Sequence, residues 1–279
     1  MSRAMQNVPS IFHLRALVRR MQSRPKIAFL HVAPVPGEVD HNRSDIERAV
    51  EVAAGSGANW IITPELSVCG YGFADRIGTE WILPQPDPWM TQFCRRIAEV
   101  KVSVFVSHPE RDRESGKLHN SMFAINSDGI VVGRHRKINV LPGSESWATG
   151  GDEARCVVVD GIRVGMLVCA DVCTPGIYNR LKSQGAQVLV SGASWGRGPY
   201  EPSGEWERCS LETGLPLFVC NRTGPDTTLS FVDAESVVVQ DGRRLLSFHS
   251  EQSAVLIMEW DQERKEEAQL RQPCPYSLY

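Results

Sequence analysis

The chain has 279 residues, with 30 Lys and Arg against 33 Asp and Glu and a formal net charge of −3. A chain of this length can bury a substantial core, its mixed charge offers no global attraction to nucleic acid, and no apolar run approaches the roughly 18–20 residues needed to cross a membrane. The eight cysteines are scattered without a CxxC pair, which argues against a disulfide framework or a zinc site and suits a reducing, cytoplasmic setting.

Residues 1–25 form a basic N-terminal extension. Arg3, Arg15, Arg19, Arg20 and Arg24 stand there without an acid, while Ile11, Leu14, Leu17, Val18 and Met21 recur at helical spacing. A targeting or membrane-surface helix has this character. An extension ahead of a natural start at Met21 has it as well, and we expect a dispensable segment.

From Lys26 onward strands and helices alternate. Residues 26–32 read as a strand. Ser44-Asp-Ile-Glu47 reads as a capping box, followed by Ile46, Ala49, Val50 and Ala53 on one helical face until Gly55 and Gly57. A short strand is expected at 60–63, a helix after Asp87-Pro88, and another strand at 102–107. Asp-Gly pairs at 128–129, 160–161 and 241–242 join apolar, β-branched runs and predict hairpins, so the sheets should be mixed. A strand over 162–169 leads through Thr174-Pro175 into a helix over 175–182. Further elements are a strand at 188–191, a helix at 205–213, a strand at 217–220 and strand character at 231–236. One domain over 26–262 follows, with a tail at 263–279 and helices covering two packed sheets.

Cys169 ends the apolar run Ile162-Arg-Val-Gly-Met-Leu-Val-Cys169 on a strand-to-helix turn. Nucleophiles are commonly displayed on such a turn, whose backbone N–H groups can serve an oxyanion. A small buried hydrophobe is the alternative. Glu65 follows Pro64 at the carboxyl end of a strand, where open α/β sheets place their sites, although a solvated loop acid reads the same way. Lys137 ends the basic cluster Arg134-His-Arg-Lys137, and Glu145 lies in Pro142-Gly-Ser-Glu145. Each of these also reads as surface. Local spacing does not join positions 65, 137 and 169.

A resemblance joins them. The stretches Pro64-Glu-Leu-Ser-Val-Cys-Gly-Tyr71, Arg136-Lys-Ile-Asn-Val-Leu-Pro-Gly-Ser-Glu145 and Val164-Gly-Met-Leu-Val-Cys-Ala-Asp171 occur in order. Gly192-Ala-Ser-Trp195 and Glu207-Arg-Cys-Ser-Leu-Glu-Thr-Gly-Leu-Pro216, running on to Asn221-Arg-Thr-Gly224, extend the match. Over residues 26 to about 260 the chain resembles the nitrilase superfamily of carbon–nitrogen hydrolases. The resemblance implies an α/β fold: a four-layer αββα sandwich with two mixed β-sheets in a single domain. It implies a catalytic set of Glu65, Lys137 and Cys169, with Glu145 auxiliary and the N–H of Ala170 facing an oxyanion. No metal or organic cofactor is called for. The expected partners are a small amide or carbamoyl substrate and further copies of the chain, as a homodimer or higher oligomer, with no nucleic acid or membrane.

Ala170-Asp171 follows the cysteine where nitrile-hydrolysing members usually carry Trp-Glu, which points to amide or carbamoyl substrates, with nitrile hydrolysis and acyl transfer as the alternatives. Ala234-Glu-Ser236 replaces a familiar Gly-x-Ser, and Cys173 reads as structural. Tyr71, Trp195, Arg197 and Tyr200 are candidate substrate contacts on the rim loops, and a guanidinium at Arg197 would select a carboxylate-bearing substrate. A catalytically silent scaffold sits poorly with an intact Glu65, Lys137 and Cys169. A papain-like pairing with His108, His119 or His135 lacks a convincing base context.

Overall fold

The computed structural model describes residues 25–198 and 201–261, together with the short strand Cys274–Pro275. The basic segment 1–24 and the residues 262–273 and 276–279 lie outside it. Strand β1 (Lys26–His31) shows the alternation that builds the molecule. Ile27 and Phe29 join the core between the sheets, whereas Ala28 and Leu30 join the core beneath the outer helices. Helix α1 (Val39–Gly55) follows, then β2 (Trp60–Ile62), the short α2 (Phe73–Ile77), α3 (Pro88–Val100), β3 (Ser103–Arg111), β4 (Leu118–Ile125) and β5 (Val131–Arg136).

The second half opens with β6 (Cys156–Val159) and β7 (Ile162–Val168), passes a 3-10 turn at Cys169–Cys173, and continues through α4 (Pro175–Ser183), β8 (Val188–Ala193), α5 (Glu205–Thr213) and β9 (Leu217–Asn221). Strands β10 (Ser236–Gln240), β11 (Arg243–Phe248), β12 (Ala254–Glu259) and β13 (Cys274–Pro275) complete the order. One sheet runs β13-β12-β1-β2-β3-β4-β5 and the other β11-β10-β9-β8-β7-β6. Each has three central parallel strands, β1-β2-β3 and β7-β8-β9, flanked by antiparallel neighbours.

Apolar side chains of α1 and α3 cover the first sheet, and those of α4 and α5 cover the second. The result is the expected αββα sandwich. Asp160 also ties the layers together: its Oδ2 accepts from Trp60 Nε1 at 2.9 Å and Ser103 Oγ at 2.8 Å. Among the described residues no helix is long and apolar enough to cross a membrane.

All three Asp-Gly pairs turn hairpins. Asp160-Gly161 and Asp241-Gly242 both have positive φ at each residue and join directly paired strands, as a two-residue primed turn requires. Two expectations are corrected. Helix α1 begins at Val39, so Ser44 lies inside it. Its start is fixed from afar: the Asn42 amide accepts from Val35 N–H and donates to Val35 O, both at 2.8 Å, and Gly37 N–H bonds Cys69 O at 2.8 Å. Residues 231–235 form no strand. Phe231 N–H bonds Gly224 O and Ala234 N–H bonds Phe231 O, both at 2.9 Å, closing turns before β10.

Candidate active site

The carboxyl ends of β2, β5, β7 and β8 meet between the sheets. After β2, Thr63 N–H still bonds Phe105 O at 3.0 Å, and Pro64 then turns Glu65 into the interior. Strand β8 passes very close here. A Cβ on Gly192 would lie 2.8 Å from Thr63 O, so the approach requires glycine. Beyond it, Ser194 N–H donates to Glu65 Oε2 at 3.1 Å and Ser194 Oγ donates to Glu65 O at 3.1 Å. Lys137 leaves β5 with its N–H on Asn120 O at 2.8 Å. The loop after it brings back Glu145, whose Oε2 accepts from Leu141 N–H at 3.0 Å.

Lys137 Nζ stands 2.8 Å from Glu65 Oε1 and 2.6 Å from Glu145 Oε2. Asn120 Nδ2 bridges the same two acids, 2.9 Å from Glu65 and 2.7 Å from Glu145. Glu65, Lys137 and Glu145 are each 0% exposed. Two carboxylates against one ammonium is an unbalanced set, and desolvated charge of this kind is costly unless it is richly hydrogen-bonded.

Cys169 opens the turn beyond β7. It is 3% exposed and has φ +46°, a left-handed conformation that costs a non-glycine residue about 1–2 kcal/mol. Burial and the charge of Glu65 push its thiol well above the usual range, against the pull of Lys137 and a hydrogen bond from the Ser194 backbone. The resting sulfur is therefore a thiol. Burial likewise raises the Glu65 carboxyl; Lys137 opposes this and Glu145 adds to it. Burial works against the Lys137 ammonium, but the charges of Glu65 foremost and of Glu145 outweigh it and hold the cation. The buried cluster thus gathers a basic carboxylate, a fixed cation and a protonated sulfur whose proton affinities depend on one another.

The remaining candidates divide. Tyr71 is buried, its OH lies 2.9 Å from Ser144 Oγ, and burial with the charges of Glu65 and Glu145 raises its phenol. It lies within reach of the same charges. Asp226 holds the main chain on either side, accepting from Tyr71 N–H at 3.2 Å and Gly72 N–H at 2.9 Å, and is itself paired with the buried Arg222. Ala170 lies on the turn that Cys169 opens, and its carbonyl accepts from Asn139 Nδ2 at 2.8 Å. Trp195 follows Ser194 and is gripped by Asn221, which accepts from Trp195 N–H at 3.1 Å and donates to Trp195 O at 2.8 Å. Arg197 is exposed on the same loop, and Tyr200 lies outside the described residues. Cys173 is exposed.

The three histidines have other partners. His108 is fully buried beside Arg43, His119 bonds Thr149 O at 2.8 Å, and His135 bonds Asp171 at 2.7 Å. Asn120 carries no motif of its own, and sequence reasoning passed over it. Ser194 stood inside a recognised block without an assigned role. Among the described residues no group of three or more His, Cys, Asp or Glu side chains could hold a metal ion.

Comparison with known proteins agrees with this architecture. The carbon–nitrogen hydrolase family model matches residues 26–269. A probable nitrilase of Schizosaccharomyces pombe is 23% identical over 240 residues, covering 84% of this chain and 87% of that protein. An (R)-stereoselective amidase of a Pseudomonas species is 25% identical over 230 residues, 79% of each chain. The amidase of Nesterenkonia sp. AN1 has the same fold. It has been solved as a glutamate-to-glutamine variant with the acetamide moiety of fluoroacetamide added covalently at its active site cysteine, and it matches with a TM-score of 0.75 and 21% identity over 86% of this chain and 91% of that one. Because that family model spans all of the strands from β1 to β12, with Glu65, Lys137, Glu145 and Cys169 among the residues it matches, the chain belongs to the carbon–nitrogen hydrolase family, within the nitrilase superfamily.

Proposed function

We propose that this carbon–nitrogen hydrolase cleaves amides or N-carbamoyl compounds through a thioester on Cys169. The observation that carries the reading is the fully buried Glu65–Lys137–Glu145 set, held at 2.8 and 2.6 Å, acting on a thiol at a strained turn. Glu65 takes the thiol proton as sulfur attacks the carbonyl carbon, and then gives it to the departing ammonia or amine. The carbon–nitrogen bond breaks and a thioester remains. Glu65 next takes a proton from water, hydroxide attacks the thioester, and the sulfur leaves as thiolate and is reprotonated. Acid–base assistance of this kind contributes about 10²–10⁴-fold.

Lys137 and the N–H of Ala170 stabilise the oxyanion in both halves, each preorganised donor contributing about 10²–10³-fold. Glu145 keeps Lys137 aimed while Glu65 changes protonation state. The acetamide moiety added covalently at the active site cysteine of the Nesterenkonia amidase supports a nucleophilic cysteine, the first requirement of a thioester route. Ala170-Asp171 after the nucleophile favours amides over nitriles, and Tyr71 and Trp195 are assigned to the substrate-facing wall. Self-association through α4 and α5 belongs to the same reading, and Leu211, 65% exposed on α5, supplies apolar surface for it.

Ammonia release is to be measured across primary amides, ω-amides, N-carbamoyl compounds and nitriles, with Cys169→Ala as control. Amide or carbamoyl turnover that disappears in the control, with an adduct on Cys169 by mass spectrometry, supports the reading. Turnover undiminished in the control overturns the nucleophile, and release from nitriles alone overturns the substrate class.

A further inference from the structure

Asp171 lies two residues beyond Cys169 and is 0% exposed. Its two oxygens receive four donors. Oδ1 accepts from the N–H groups of Ile138 at 2.9 Å and Asn139 at 2.8 Å, the two residues that follow Lys137. Oδ2 accepts from the N–H of Val168, the residue before Cys169, at 3.0 Å, and from His135 Nε2, two residues before Lys137, at 2.7 Å. A carboxylate offers about four lone-pair sites, so this one is saturated. His135 is also fully buried and must carry its proton on Nε2 to make the bond; its Nδ1 has no partner.

The arrangement is unusual in what it spans. One carboxylate brackets the lysine on the first sheet from both sides and the cysteine on the second sheet from both sides. Nothing about a fold staple requires it to sit on those two residues. The left-handed φ of Cys169 needs an external hold to persist, and the Val168 and Asp171 bond across the turn supplies one. Asn139, whose N–H is bound by Asp171, donates its side chain to Ala170 O, so the same grip reaches the peptide after the nucleophile.

We propose that Asp171, oriented by His135, is the positioning residue that sets Lys137 against Cys169 and the oxyanion site, acting on kcat rather than on substrate binding. This rests on the thioester reading above. With Asn at 171, the oxygen toward Ile138 and Asn139 survives, but an NH2 now faces the Val168 N–H and His135 Nε2, so the cysteine side loosens while the two bonds after Lys137 stay. Phe at 135 removes the donor to the carboxylate, and Gln at 135 restores an N–H of similar reach.

The test compares Asp171→Asn, His135→Phe and His135→Gln with the parent on the best substrate of the screen. Active centres are counted by stoichiometric alkylation of Cys169, so that unfolded chain does not dilute kcat, and thermal midpoints are recorded alongside. Misplacement near the chemistry costs up to about 10²-fold. Asp171→Asn should lose at least about tenfold in kcat per titrated centre with KM within about twofold, and should alkylate more slowly. His135→Phe should show the same split and His135→Gln should recover most of it. If all three variants keep kcat per centre within about twofold while only the thermal midpoint falls, or if KM alone rises, Asp171 is a fold staple or a binding residue and the proposal fails. Should His135→Phe yield no folded protein, Asp171→Asn against His135→Gln decides by the same readouts. Persistent ammonia release in Cys169→Ala instead overturns the thioester reading itself, a result distinct from either outcome here.

Discussion

Two of the buried charge clusters are built differently. Between α1, α3 and the first sheet, Arg43 pairs with Asp87 at 2.6 Å, sits 4.9 Å above the ring of Trp89, and donates to His108 Nε2 at 3.0 Å. One cation meets one anion there. Asp87 also caps α3, accepting from Met90 N–H at 2.7 Å, and a neutral imidazole completes the set. Between the sheets, two carboxylates face one ammonium and a thiol. The first cluster is balanced, with each charge serving a helix or a ring. The second carries one acid more than it has cations, although both acids also hold main-chain N–H groups, and its members push one another's proton affinities. Imbalance of that kind marks sites where protons move.

The largest effects separate the clusters by activity. Cys169→Ala and Glu65→Gln should each lower amide turnover by about 10³-fold or more, since members of a catalytic unit are not additive. Neither removes a buried charge's partner cation, so both should unfold near the parent temperature. Calorimetry with an ammonia assay checks this, and a Glu65→Gln enzyme within about tenfold of the parent would detach the acid from the chemistry.

Lys137→Met then sharpens the contrast. It strands Glu65 and Glu145 against each other out of reach of solvent, and removing one partner of a buried pair costs about 3–5 kcal/mol. Activity and stability should fall together. Arg43→Met should cost roughly 2–3 kcal/mol, because Asp87 keeps its helix-capping bond, while kcat of the folded fraction stays at the parental value. Denaturant titration and active-centre counts on both variants test the pairing. Loss of kcat in Arg43→Met would mean that the two clusters communicate.

The pH profile probes the second cluster alone. The proposed mechanism needs Glu65 as the free carboxylate, and burial has raised its proton affinity. Activity should therefore rise with pH through a midpoint above the ordinary carboxylate range and disappear as the acid is protonated below it. Lys137 is held charged well above its usual range, so no loss on its account should occur at moderately alkaline pH. A midpoint at the ordinary value near 4.5 would place Glu65 in contact with water.

How much of this was legible in the sequence depended on the range of the forces. The β-branched runs and Asp-Gly turns report on neighbours a few residues away, and they yielded the hairpins at 160–161 and 241–242 directly. The start of α1 was misread because the Asn42–Val35 bonds and the Gly37–Cys69 bond outweigh a good local cap at Ser44. Glu65, Lys137 and Cys169 looked like surface acid, surface base and core thiol. Only a resemblance across ordered blocks joined them, because what makes them a site is burial on three different strand ends. Asn120 and the grip of Asp171 were illegible for the same reason, since an amide or an acid has no periodicity that betrays four partners on two sheets.

The smallest predicted effect lies in the balanced cluster. Its geometry fixes the tautomer of His108: Nε2 accepts from Arg43, so the ring proton is on Nδ1, 2.6 Å from Pro109 O. Protonating Nε2 would set an N–H against the guanidinium. Burial, with the Arg43 charge adding and Asp87 opposing, accordingly lowers this histidine from the usual 6.5 to about 4. The folded state binds the proton less tightly than the unfolded chain, so the stability is fully present above 6.5 and drains away as pH falls toward 4. A shift of that size is worth at most about 3 kcal/mol. His31 is buried neutral and lowered to about 4 in the same way, so it draws on the same window. His108→Gln should therefore unfold more easily than the parent at neutral pH, and the gap should narrow by about 2 kcal/mol by pH 4.5, roughly two-thirds of the whole. Urea titrations of parent and variant at the two pH values measure it. A gap constant with pH would show that His108 takes up its proton inside the fold, and the cluster between the helices would then be no better balanced than the one between the sheets.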